Sequence, residues 1–169
     1  MQLGSDRIMA ANQERSFVRE AAVLLAGARA GSLATVADGA PHAALVTPAL
    51  DERGDVLLLL SDLSAHTKHL RANAAAALLV TGAAASENPQ TSPRLLVSGE
   101  AAIVADAAAR ELYLKFHPYA AGYADFTDFH FWKLTLKAAH YVGGFAAAAP
   151  LDPAALRHEI NALRAPANG

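Results

Sequence analysis

The spacing of apolar and polar residues changes period several times along the chain, and each change predicts an element. In residues 14–29, Phe17, Ala21, Leu24, Leu25 and Ala28 recur at helical intervals, with Arg15, Arg19 and Glu20 off the stripe. This predicts an amphipathic helix that stops at Gly31. Residues 32–37 and 42–50 are short runs of Leu, Val, Ala and Thr separated by Asp38-Gly39, a pair that tolerates positive φ and so predicts a tight hairpin. Pro48 has no N–H to give a ladder, so the second strand should leave the sheet or lie at an edge there. After a turn around Gly54, residues 56–60 are apolar at every position, as in a strand covered on both faces by a barrel interior or a dimer interface.

The second half follows the same grammar. A short helix over residues 64–73 leads to a strand at 76–81, a polar loop at 82–93, and a long strand at 94–104 in which Gly99 signals a bulge or close backbone approach. Asp106 suits the cap of a helix reaching Phe116, ended by His117-Pro118. An aromatic loop over 119–128 precedes a last strand at 129–136, resumed at His140-Tyr141-Val142 and stopped by Gly143-Gly144. Asp152-Pro153 opens a terminal helix with Leu156, Ile160 and Leu163 on one stripe. The expected fold is mainly β with flanking helices, a six-stranded antiparallel split barrel. It fills one domain over residues 12–164, between a loose lead-in at 1–11 and a tail at 165–169.

Composition narrows the function. An apolar fraction of 53% against 18% charged residues supports a packed core, and a formal charge of −2 gives no general attraction for nucleic acid. With no cysteine, thiolate chemistry, disulfides and Cys-based metal sites are excluded. The polar N-terminus and the lack of a long apolar run predict no membrane association and a cytoplasmic protein.

The chemistry concentrates in Ser64-Ala65-His66-Thr67-Lys68-His69. A helix opening here presents unpaired N–H groups and the positive end of its dipole, and Thr67 and Lys68 add a hydroxyl and a cation in the first turn, a combination suited to phosphate. Out of context, the same residues also describe an ordinary solvated helix start. His66 and His69 share a helix face, but no third ligand stands at a matching spacing, so no metal site is expected. Trp132 reads as a core or interface residue, and Tyr119, Tyr123, Phe126, Phe129 and Phe131 as packing at the barrel end or interface. No nucleophile elbow, supported triad or Gly-rich nucleotide loop is present.

Several of these stretches, in this order, carry a family pattern: Gly31-Ser32-Leu33-Ala34-Thr35, Asp38-Gly39-Ala40-Pro41, Leu59-Leu60-Ser61, His66-Thr67-Lys68 and Arg94-Leu95-Leu96-Val97-Ser98-Gly99. The chain resembles the pyridoxamine 5′-phosphate oxidase-like, FMN-binding split-barrel superfamily. It is most similar to the haem-utilisation branch, through residues 113–118, Asp128-Phe129 and Tyr141-Val142-Gly143-Gly144-Phe145. The resemblance implies a homodimer with two FMN sites at the subunit interface and a small-molecule substrate. Leu33, Ala34 and Thr35 would then line the ring or ribityl chain through their backbone, His66, Thr67 and Lys68 would hold the phosphate, and Arg94 would approach from the partner. The implied activity is an FMN-dependent oxidoreductase of unassigned substrate; the alternative is a split-barrel protein that holds flavin or haem without turnover. The chain departs from the family pattern at Ala44, where a hydroxyl residue is common, at His69, commonly Asn, and at the alanines 146–149.

Overall fold

The computed structural model describes residues 2–144 and 147–165, so Phe145 and Ala146, at the end of the family motif, lie outside the described residues. Helix α1 spans Gln2–Gly27 and therefore takes in the expected lead-in. Its sequence has no proline, and Gly4 is its only glycine before the C-terminal end, so nothing local stops the helix at Glu14. The hairpin follows as β1 (Gly31–Ala37) and β2 (Ala40–Val46), with Asp38 and Gly39 both at positive φ. β2 ends before Thr47-Pro48, and the chain re-enters the sheet as the two-residue β3 (Ala49–Leu50). Next come β4 (Val56–Ser61), α2 (Ala65–Ala72), β5 (Ala75–Thr81), β6 (Arg94–Ile103) and α3 (Ala107–Phe116). β7 (Phe129–Gly144), β8 (Ala147–Leu151) and α4 (Pro153–Arg164) complete the described chain.

The sheet is antiparallel throughout, in the order β2-β1-β5-β6-β7-β4-β3, with β8 also on β7. It holds eight strands where six were expected, because Pro48 divides the second strand and the alanine run adds β8. β7 runs through Lys137-Ala138-Ala139 without the expected break and carries β6 along one edge. On its other edge β4 pairs with the first half and β8 with the second, which gives the open, split barrel. The Gly99 signal is explained by a register shift between Ser98 and Gly99, where a Cβ on residue 99 would lie 1.8 Å from the Thr135 carbonyl oxygen.

Two cores flank β4, which is buried on both faces as its sequence predicts. Val56, Leu58 and Leu60 pack into the barrel interior with Leu33, Leu78, Leu95, Val97, Leu134 and Trp132. Leu57 and Leu59 face a smaller cluster under α3 that includes Tyr113, Ala120 and Ala124. Buried Asp55 joins the ends of these layers: it accepts from Leu136 N–H (3.0 Å) and from Arg157 of α4 (2.7 Å).

The break at Thr47-Pro48 is held from α3. Tyr113 Oη lies 2.7 Å from Thr47 Oγ1 and donates to Thr47 O at 2.9 Å, and burial pushes the phenol up to about 12. The fully buried His117 has Nε2 2.8 Å from Pro48 O. A carbonyl only accepts, so Nε2 carries the hydrogen and the neutral Nδ1 accepts from Tyr119 O–H at 3.1 Å. Burial pushes this imidazole below its usual range, opposed by the Pro48 bond and aided by Arg29.

Two outcomes follow for stability. Gly99→Ala should lower it by about 3 kcal/mol or more, read as a reduced urea midpoint, because strand backbone rather than a flexible side chain must move. Because His117 is harder to protonate when folded, its contribution is full above roughly pH 6.5 and is lost as pH falls through the folded value. The urea midpoint should therefore drop between pH 7.5 and 5, and His117→Gln should flatten that drop.

Candidate functional site

α2 lies across the β1–β2 hairpin, and its N-terminal turn has no side-chain cap. Ser64 occupies the cap position, but its side chain makes no capping bond, so the first-turn N–H groups have no side-chain acceptor. Thr67 is fully buried, and its Oγ1 has no hydrogen-bond partner. An unpaired buried hydroxyl costs about 1–3 kcal/mol, so this one is either strain or half of an interaction completed by something else. Lys68 is exposed beside it, while His66 and His69 are half-buried. The adjacent acid, Asp62, does not project free negative charge: Arg71 Nη2 binds it at 2.6 Å and His130 Nε2 at 3.1 Å. Arg71 and then His130 hold its carboxyl below the usual range.

The hairpin supplies the floor. Its two-residue turn pairs Thr35 with His42, and Thr35 Oγ1 lies 3.1 Å from His69 Nδ1. The His42 and His69 rings meet edge-on with centroids 5.0 Å apart. Burial first, then the neighbouring His42 and His69, push the His66 imidazole below its ordinary range. Thr35, His42, His66, Thr67, Lys68 and His69 thus gather at one place. His42 was not among the residues singled out in the sequence, although a two-residue hairpin centred on Asp38-Gly39 already fixes its pairing with Thr35. Among the described residues, no group of three or more His, Cys, Asp or Glu is arranged to hold a metal ion.

Leu33 and Ala34 precede Thr35 on β1, and Arg94 lies at the far end of the sheet. Leu33 is fully buried in the core, and Ala34 faces outward. β1 is paired with β2 on one edge and β5 on the other across residues 32–35. Arg94 pairs with Thr81 at the far end of the sheet, whereas Thr35 pairs with Ala76, about five residues or roughly 17 Å away. Its guanidinium donates to Gln90 O and Ser92 O of its own loop. Trp132 is core, while Tyr119 and Phe126 are exposed.

The middle of the sheet's outer face carries two rows without Asp, Glu, Lys or Arg. Leu45, Ser32, Leu79, Leu96 and His140 form one cross-strand row, and Ala43, Ala34, Ala77, Ser98 and Ala138 the next. Leu45 is 78% exposed and Leu96 42%.

With this architecture established, sequence comparison decides the family: residues 12–156 match the model described as CREG, beta-barrel. The chain belongs to the CREG beta-barrel family. It is 34% identical over 152 residues to the non-canonical heme oxygenase HOZ, chloroplastic, of Arabidopsis thaliana, covering 84% of this chain and 46% of that protein. It thus spans about half the length of that relative. Among solved structures it is similar to a heme binding protein from Mycobacterium smegmatis, with TM-score 0.78 and 29% identity over 83% of this chain and 60% of the other. A putative pyridoxamine 5′-phosphate oxidase from Listeria innocua shares the fold, with TM-score 0.60 and 18% identity over 75% of this chain and 98% of that one. The split-barrel fold and the family pattern read from the sequence are therefore both present. No described helix is long and apolar enough to cross a membrane.

The unpaired hydroxyl has a measurable consequence. Thr67→Val keeps the shape and removes the orphan, so thermal or urea unfolding of the ligand-free protein should show a gain of about 1 kcal/mol.

Proposed function

We propose that this chain is a haem-binding split-barrel protein that works as a homodimer and holds the cofactor's carboxylates at the N-terminus of α2. The observation that carries the anion site is the uncapped first turn of α2 with the buried, unpartnered Thr67 hydroxyl and Lys68 beside it. An oxyanion supplies the acceptors these groups lack. The choice of haem is supported by the heme oxygenase and heme binding relatives. Bound haem supplies a redox-active iron. The chain's own residues bind its acidic edge and orient it: α2 offers N–H donors, Thr67 a hydroxyl and Lys68 a cation.

FMN is the second reading, because the same donor set accepts phosphate as readily as carboxylate and the fold is shared with a putative pyridoxamine 5′-phosphate oxidase. Bound FMN would make the protein an oxidoreductase acting on a small molecule. In that reading the carbonyls of Leu33, Ala34 and Thr35, already paired in the sheet, would contact the ring through their second lone pairs.

Homodimerisation is supported by the outer sheet face, where Leu45, Leu79, Leu96 and Val36 are exposed and the two central rows hold no Asp, Glu, Lys or Arg. Apolar faces of this kind mark interfaces. Arg94, at the far end of the sheet from α2, would reach a cofactor only from a second copy.

Absorption titrations with haemin and with FMN separate the two cofactors: a sharp haem band retained through gel filtration supports the first, and retained flavin bands the second. Failure of both sinks the cofactor reading. Lys68→Ala and Thr67→Val should each weaken the bound cofactor by about tenfold, and unchanged affinity in both would remove the α2 assignment. Sedimentation of Leu79→Glu/Leu96→Glu should show monomer where the parent is dimeric.

A further inference from the structure

Three imidazoles converge where α2 crosses the hairpin, and nothing acidic answers them. His42 stands opposite Thr35 on β2, His69 reaches Thr35 from α2, and His66 lies one helical turn before His69. Burial first, and then His42 and His69, push the His66 imidazole down. The other charged groups on α2, Lys68 and Arg71, are also cationic, and Arg71 is occupied by Asp62. β1 contributes only the uncharged Thr35, and Asp38 sits exposed at the hairpin tip beyond it. An anion placed among the three rings would favour their protonated forms, which offer more donors.

We propose that His42, His66 and His69 form a titratable receptor for the cofactor's anionic group, with His42 and His69 as direct donors, so that binding is coupled to proton uptake. The Thr35 hydroxyl suits this arrangement because it both donates and accepts. It can serve His69 Nδ1 whether or not that nitrogen carries a hydrogen, so the ring can charge without losing its partner. The three rings thereby add to Thr67 and Lys68 a set of donors whose charge appears only when a ligand calls for it. This inference rests on the α2 anion site proposed above, but not on whether the cofactor is haem or FMN.

Sulfate is the suitable probe, since it remains a dianion between pH 5 and 8 and leaves only the protein to titrate. Histidine side-chain NMR of the intact protein gives each ring's titration midpoint, with His130, His140 and His158 as internal references outside the cluster. With saturating sulfate, the midpoints of His42, His66 and His69 should rise by about one pH unit. Because the three shifts multiply, sulfate should also bind about a hundredfold more tightly at pH 5.5 than at pH 8. The His42→Asn/His69→Asn double variant should lose most of this pH dependence, leaving the part carried by His66, while retaining weak binding at pH 8. If sulfate moves the backbone amides of His66, Thr67 and Lys68 but shifts the three rings no more than the reference histidines, the receptor is overturned and the anion site stands. If it moves neither at any pH, both fall.

Discussion

The backbone contact between Gly99 and Thr135 is the constraint on which the sheet depends. β7 must serve β6 along one edge while β4 and then β8 use the other, and a strand of this length cannot stay flat. The bulge at Ser98/Gly99 lets β6 follow it, and the approach is so close that no Cβ fits. Both cores and the outer row of Leu and Ala inherit their positions from this bend. So does α2, which reaches its place over the hairpin only because β5 and β6 carry β1 around the barrel.

That placement explains the character of the proposed site. α2 brings dipole, N–H donors and a buried hydroxyl, and the hairpin brings Thr35 and His42, while its carboxylate, Asp38, is exposed at the tip. A polar site built without internal compensation is costly for a folded protein to keep, and such costs concentrate where ligands bind. The departures from the family pattern at Ala44 and His69 belong to the same region: a hydroxyl has gone from β2, and an imidazole hydrogen-bonded to Thr35 has been gained.

Much of this was legible because it is local. Asp38-Gly39 set the hairpin, Asp106 and Asp152 cap α3 and α4 by accepting from Ala108 N and Ala154 N, and the apolar run of β4 told that both its faces are covered. β8 was hidden because alanine has little strand preference of its own; it is held by pairing with β7 and by burial of Leu151. The long-range polar ties, Asp55 with Arg157 and His117 with Pro48, join residues far apart in sequence and leave no periodic trace. His42 is the intermediate case. Its partner follows from the hairpin register, but its role needs α2, which arrives only through tertiary packing.

The two-sided burial of β4 leaves the strand with an ambiguity of phase. A one-residue slip normally exchanges an apolar face for a polar one and is punished by solvent. Here it would exchange Leu for Leu or Val, and hydrophobicity would scarcely register the error. The correct phase must be marked at the ends: Asp55, tied to Leu136 N–H and Arg157, and Ser61, whose hydroxyl donates to Asp128 at 2.6 Å. These two polar residues act as alignment pins for an otherwise featureless strand, and they specify which leucines enter which core.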